Sequence, residues 1–124
     1  MLPNFIIGGV PVAGTSFLVS LLMQHPNIYL PKKMRPEPHF FYYSNKYEKG
    51  INWYASEWFS DHKNEKAGGE RSSSYLYKSI CAERIKKFLP DTKLIFVLRN
   101  PIERAWAAYR FTVLSGLETF SFSD

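Results

Sequence analysis

Three short stretches carry the residue types best suited to chemistry on an anionic substrate. The first is the loop Gly9-Val10-Pro11-Val12-Ala13-Gly14-Thr15-Ser16. Its glycines let backbone N–H groups turn inward, and a helix beginning behind it would add a positive dipole end, so a phosphate fits there. A nucleoside-triphosphate loop would require lysine where Thr15 stands, which disfavours an ordinary NTPase. A tight turn with no ligand is the competing reading. The second stretch is Arg99-Asn100-Pro101, where a planar guanidinium fork could hold two phosphate oxygens at once. A surface ion pair is its plainer explanation, and Arg104 further on is as readily a solvated arginine on a helix flank. The third is Glu37, set between Pro36 and Pro38 and followed by His39, Phe40 and Phe41. A carboxylate in such surroundings suits a general base, and a loop glutamate bonded to backbone is the alternative. His39 either orients an acceptor or packs as an aromatic ring. One cysteine, Cys81, excludes an internal disulfide, and His25, His39 and His62 are too scattered for a zinc-type ligand set, so no metal is expected.

The elements that must position these residues follow from pattern. Phe5-Ile6-Ile7 ending at Gly8-Gly9 reads as a buried strand. From Thr15 to Gln24, Phe17, Leu18, Leu21 and Leu22 recur at helical spacing and mark an apolar face, and His25-Pro26-Asn27 ends the helix. Residues 28–31 are extended and 32–50 loop-rich, after which Asn52 could cap a helix from Trp53 to Phe59. Asp61 to Gly69 reads as a polar surface connection. A helix then uses Ile80, Ile85, Phe88 and Leu89 as its apolar face, and Pro90-Asp91 breaks it. Lys93 to Leu98 is a continuous apolar run that delivers Arg99 at its end. Pro101 suits the first position of a helix running to about Leu114, with Ile102, Ala105, Trp106, Tyr109 and Val113 on one face and Gly116 as its stop. Strand–loop–helix at both ends predicts an α/β fold with strands 5–8 and 93–98 parallel, both pointing at one nucleotide cleft.

Composition narrows the classes. The chain has 124 residues, one domain's worth, with 45% hydrophobic and 22% charged residues, which excludes disordered and fibrous proteins. The net charge of +5 is concentrated in the second half: residues 1–62 carry five basic and four acidic side chains, residues 63–124 eleven and seven. A basic half suits an anionic partner. No basic run exceeds Lys32-Lys33, which argues against nucleic acid as that partner. The segment from Phe5 to Met23 has no charge and precedes Lys32, Lys33 and Arg35, so a membrane span is an alternative there. The glycines and Pro11 inside it favour strand, loop and helix instead. With no basic start before the apolar stretch, a secretory signal is not expected and a cytoplasmic location is.

Five segments together resemble the sulfotransferases that use 3′-phosphoadenosine 5′-phosphosulfate, particularly the heparan-sulfate-type and bacterial branch. They are Phe5 to Leu18, His25 to Pro31, Glu37 to Phe41, Gly69 to Leu76 and Lys93 to Tyr109, in the family's order, and the last is the most specific. The resemblance implies a P-loop-like three-layer α/β fold with a small parallel sheet, of which residues 1–124 are the N-terminal portion. It implies sulfuryl transfer from that nucleotide to a hydroxyl or amine, on a carbohydrate, with no metal. It assigns the 5′-phosphosulfate to loop residues Gly9, Pro11, Val12, Ala13, Gly14, Thr15 and Ser16, and the 3′-phosphate to Arg99 and the Ala107 position. Glu37 becomes the base, His39 its neighbour at the acceptor, and Arg71 the cation facing the sulfuryl group. Three positions depart from the pattern: Val12 and Arg71 stand where relatives carry lysine, and Ala107 where they carry serine. Losing a positioned donor such as the Val12-site lysine commonly costs about 10²–10³ in rate. A nucleotide-binding or interaction module of the same fold, without turnover, is therefore the alternative function.

Overall fold

The computed structural model describes residues 1–33 and 35–123. Four strands form one parallel sheet: β1 (Phe5–Gly9), β2 (Ile28–Tyr29), β3 (Ala67–Arg71) and β4 (Lys93–Phe96), in the spatial order β2-β3-β1-β4. Five helices connect and follow them: α1 (Thr15–Leu22), α2 (Ser44–Tyr47), α3 (Ile51–Phe59), α4 (Ser79–Phe88) and α5 (Pro101–Leu114), with a 3-10 turn at Tyr75–Tyr77. β1 lies between β3 and β4. Phe5, Ile6 and Ile7 are opposite Gly69, Glu70 and Arg71 on one side, and opposite Lys93, Leu94 and Ile95 on the other.

Alternation along β1 builds the layers. Ile6 joins a cluster with Phe40, Phe41, Tyr54, Trp58, Tyr75 and Ile85, while Phe5 and Ile7 join Val19 and Leu30. Successive side chains of a strand point to opposite faces, so each face of the sheet receives its own core. On one side lie α3, α4 and the Phe40-Phe41 turn, and on the other α1. The result is the expected three-layer α/β arrangement around a small parallel sheet.

The structure corrects several expectations. Residues 67–69 are not surface connection but the first part of β3, an inner strand. Gly68, Gly69, Glu70 and Arg71 are poor strand formers taken alone. A Cβ at Gly69 would fall inside the Phe5 ring, so the glycine is needed for close approach. Gly50, not Asn52, occupies the N-cap of α3, and residues 44–47 of the loop-rich stretch form a helical turn. The buried face of α1 uses Thr15 and Val19, whereas Phe17 and Leu21 are exposed. No residue of α5 is fully buried, and β4 is an edge strand exposed along most of its length. The uncharged segment 5–23 is divided between a strand, a loop and the eight residues of α1. Among the described residues no helix is long and apolar enough to cross a membrane.

Other local features are as the residues dictate. Asn100 caps α5 by accepting from the N–H groups of Ile102 and Glu103 at 3.0 and 3.3 Å, with Pro101 just inside. Gly116, at φ 72°, follows the end of that helix.

Candidate functional site

Parallel strands whose first turns lie at one edge create a crevice there, and this chain has one of about 450 Å³ beyond the carboxyl ends of β1 and β3. That size suits a small-molecule ligand. Pro11, Val12, Gly14, Thr15 and Ser16 from the first loop line it, together with Arg35, Glu37, His39, Arg71, Ser73 and Phe111. At the loop's end Gly14 adopts φ 97°, a conformation that glycine takes without steric cost, and no side chain caps the helix it starts. The first N–H groups of α1 therefore open onto the crevice without a competing acceptor from a capping side chain. Val12 also has positive φ, 59°, which is unusual for a β-branched residue.

Arg71 ties the two chemical halves of the site together. It ends β3 with its register partner Ile7, on the α1 face of the sheet, and its side chain is only 6% exposed. One terminal nitrogen donates to Ser16 Oγ at 2.6 Å, and the other meets Glu37 Oε1 at 3.2 Å. The fork thus spans the anion loop and the carboxylate, two contacts that a lysine's point charge could not make in the same geometry.

Glu37 accepts from both the backbone N–H and the hydroxyl of Ser73, at 2.8 and 2.9 Å, through Oε2. His39 Nε2 is 3.3 Å from the same oxygen, and His39 Nδ1 is 2.6 Å from Ser74 Oγ. Neutral His39 satisfies both if Nε2–H donates to Glu37 and Nδ1 accepts from the Ser74 hydroxyl. Burial pushes the His39 pKa below the usual imidazole value, opposed by the Glu37 charge and assisted by Lys46 and Arg71. The imidazole is thereby held neutral at lower pH than a free histidine. The backbone bond expected of a loop glutamate is present at Glu37, and it coexists with an exposed route to the crevice.

The sequence-predicted residues do not all meet in the crevice. Gly9 ends β1 and Ala13 lies in the loop, both outside the lining. A Cβ at Gly9 would sit 3.1 Å from the Ser73 carbonyl oxygen, so this position lets the loop pack on the β3 turn. Arg99 leaves β4, donates to the Val12 carbonyl oxygen at 3.3 Å and pairs loosely with Glu103 at 3.9 Å. It stands at the same sheet edge as Gly14, beside the crevice. Ala107 is half-buried on α5 and not part of the lining. Arg35, Ser73, Ser74 and Phe111 are the residues that sequence reasoning missed. The run Ser72-Ser73-Ser74 was the available signal, and its meaning depends on β3, which ends just before it. Among the described residues no group of three His, Cys, Asp or Glu side chains could hold a metal ion.

The chain is similar to known proteins over nearly its whole length. The family model for the sulfotransferase domain matches residues 2–120. The membrane-associated sulfotransferase kil1 of Dictyostelium discoideum is 36% identical over 114 residues, covering 90% of this chain and 23% of that protein. Human heparan sulfate glucosamine 3-O-sulfotransferase 6 is 36% identical over 120 residues, covering 95% of this chain and 33% of its own length. A crystal structure of a sulfotransferase from Alicyclobacillus acidocaldarius superposes with a TM-score of 0.86 at 35% identity, covering 99% of this chain and 55% of that one. The chain thus spans about a quarter to a third of these curated relatives.

Proposed function

The chain belongs to the sulfotransferase domain family, and on that premise we propose that it is the N-terminal portion of a domain transferring a sulfuryl group from 3′-phosphoadenosine 5′-phosphosulfate to a carbohydrate hydroxyl or amine. The observation that carries this reading is the Arg71 bridge between Ser16 and Glu37. It puts an anion-binding loop and a proton acceptor on the two ends of one guanidinium, so that donor and acceptor can be held beside each other.

The nucleotide, when bound, supplies the activated sulfuryl group. The N–H groups at the start of α1, with Thr15 and Ser16, hold the 5′-phosphosulfate, and Arg71 offsets the charge that develops as the group leaves. Arg99 holds the 3′-phosphate from the next strand over, at the Val12 side of the loop. Glu37 takes the proton from the acceptor oxygen or nitrogen as that atom bonds to sulfur and the bond from sulfur to the phosphate oxygen breaks. One of its present donors must then give way, and Ser73 Oγ, a rotatable hydroxyl, is the one that can. His39, neutral and hydrogen-bonded to Ser74, stands 3.3 Å from Glu37 without competing for the proton.

Transfer of labelled sulfate to heparan-type oligosaccharides, assayed beside binding of adenosine 3′,5′-bisphosphate, tests the proposal. Glu37→Gln should lower the transfer rate by about 10²–10⁴ while nucleotide affinity is unchanged. A variant as fast as wild type would remove Glu37 as the base. The second reading, a binding module without turnover, is favoured by one observation: at Val12 the loop presents an apolar side chain to the crevice. It predicts wild-type nucleotide binding with no transfer to any acceptor.

A further inference from the structure

We propose that Glu70, which lies outside the crevice, is a positioning residue that sets the direction of two hydroxyl groups holding the turn behind Glu37. The inference rests on the reading of Glu37 as the base and adds a residue to it.

Glu70 and Arg71 are neighbours on β3, so their side chains point to opposite faces of the sheet. Arg71 reaches the crevice. Glu70, whose register partner is Ile6, enters the aromatic core and is completely buried. There its Oε2 accepts from Ser72 Oγ at 2.6 Å, and its Oε1 accepts from the Tyr75 hydroxyl at 2.7 Å. Each of those oxygens then accepts a backbone N–H: Ser72 Oγ from His39 at 2.8 Å, and the Tyr75 hydroxyl from Phe41 at 3.4 Å. A hydroxyl has one hydrogen to give. A carboxylate only accepts, so it draws that hydrogen inward from both groups and leaves a lone pair on each for the turn. His39 has φ 48°, so this turn is one that the backbone does not favour unaided.

An amide or a protonated acid in the same place behaves differently. It must donate to one of the two hydroxyls, which then accepts from both sides through its lone pairs and has no carboxylate oxygen for its own hydrogen. That support is weakened, although the shape is the same. Burial pushes the Glu70 carboxyl up to about 7, and the charge of Glu37 adds to the rise while Ser72, Tyr75 and Tyr54 oppose it. Tyr54, Tyr75 and Lys46 also feel the Glu70 charge, and Lys46 donates to the Pro38 carbonyl at 2.7 Å. The turn is therefore held more firmly above neutrality than below it.

Amide hydrogen exchange and ¹H–¹⁵N spectra of the wild type and Glu70→Gln test this without requiring activity. The variant should lose about tenfold protection at the amide of His39 or Phe41, the scale of one hydrogen bond, while Ser73, held by Glu37, keeps its own. In wild type the Phe41 amide should titrate with a midpoint near 7, and in the variant it should not. Unchanged protection, or a wild-type Phe41 amide that does not titrate, overturns the proposal, and the wild-type titration decides alone if the variant fails to fold. In the transfer assay, kcat of the variant should fall at unchanged KM for the nucleotide above about pH 8, and the two proteins should converge at lower pH. A loosened turn with unchanged kcat would overturn the positioning role of Glu70, whereas a Glu37→Gln variant as fast as wild type would overturn the reading of Glu37 as the base.

Discussion

Two adjacent charged residues, Glu70 and Arg71, do opposite things because a strand alternates. Arg71 is stabilised by Ser16 and Glu37 at the sheet edge, whereas Glu70 meets only neutral hydroxyls in the core, where its charge is costly. The linkage has a definite sign. With its pKa raised from 4.5 in the unfolded chain to about 7 in the folded one, Glu70 contributes stability that is full below about 4.5 and is lost as pH rises towards 7. The loss amounts to about 3 kcal/mol. His39 acts in reverse, since its lowered pKa makes stability fall as pH drops below the usual imidazole value. Thermal melts of wild type and Glu70→Gln across that range isolate the first effect, because His39 is common to both. The gap between the two should shift in the variant's favour as pH rises, and parallel curves would contradict it. At Val12 the prediction concerns the loop. Val12→Lys replaces a β-branched residue at φ 59° and adds a cation at the anion loop. It should raise transfer rate more than nucleotide affinity, by up to about 10²–10³. An unchanged rate in a folded variant that binds nucleotide would place the deficit elsewhere.

Among the elements, those with a strong local signal were legible in the sequence. β1 and β4 are apolar runs, α4 has its helical stripe, and α5 has Asn100 and Pro101 at its start, so all four were expected near their observed places. β3 was not legible. Its residues carry no strand propensity, and the reason for Gly69 is the Phe5 ring across the pair, a contact between residues far apart in the chain. The candidate site divides in the same way: the loop, Glu37, His39 and Arg71 were readable as types and motifs, whereas Ser73 and Ser74 acquire their roles only once β3 brings them beneath Glu37. The exposed faces of α1 and α5 show the limit of periodicity, which marks an apolar stripe without saying whether anything covers it. The account of β3 is checked by Gly69→Ala. Overpacking against Phe5 should cost about 1–3 kcal/mol in urea unfolding, and an unchanged midpoint would mean that the strand pair opens without strain.

For the whole molecule, the order β2-β3-β1-β4 explains why the candidate site lies where it does. From β1 the chain goes first to the outer strand β2, returns inward to β3 beside β1, and then crosses to place β4 on β1's other side. The strand order reverses at β1, and open parallel sheets bind ligands at such a point. The loop after β1 is therefore flanked by Arg71 from β3 and by Arg99 from the end of β4, two cations reaching one anion loop from opposite neighbours. The central claim is that this flanked loop reads a nucleotide carrying phosphate at both ends. Titrating wild type and Arg99→Ala with adenosine 3′,5′-bisphosphate and with adenosine 5′-phosphate tests it most directly. The substitution should weaken the bisphosphate by about 1.5–3 kcal/mol, the scale of a charged hydrogen bond, and leave the 5′-phosphate nearly unaffected. Equal losses for both ligands, or no binding of either to the wild type, would contradict the account.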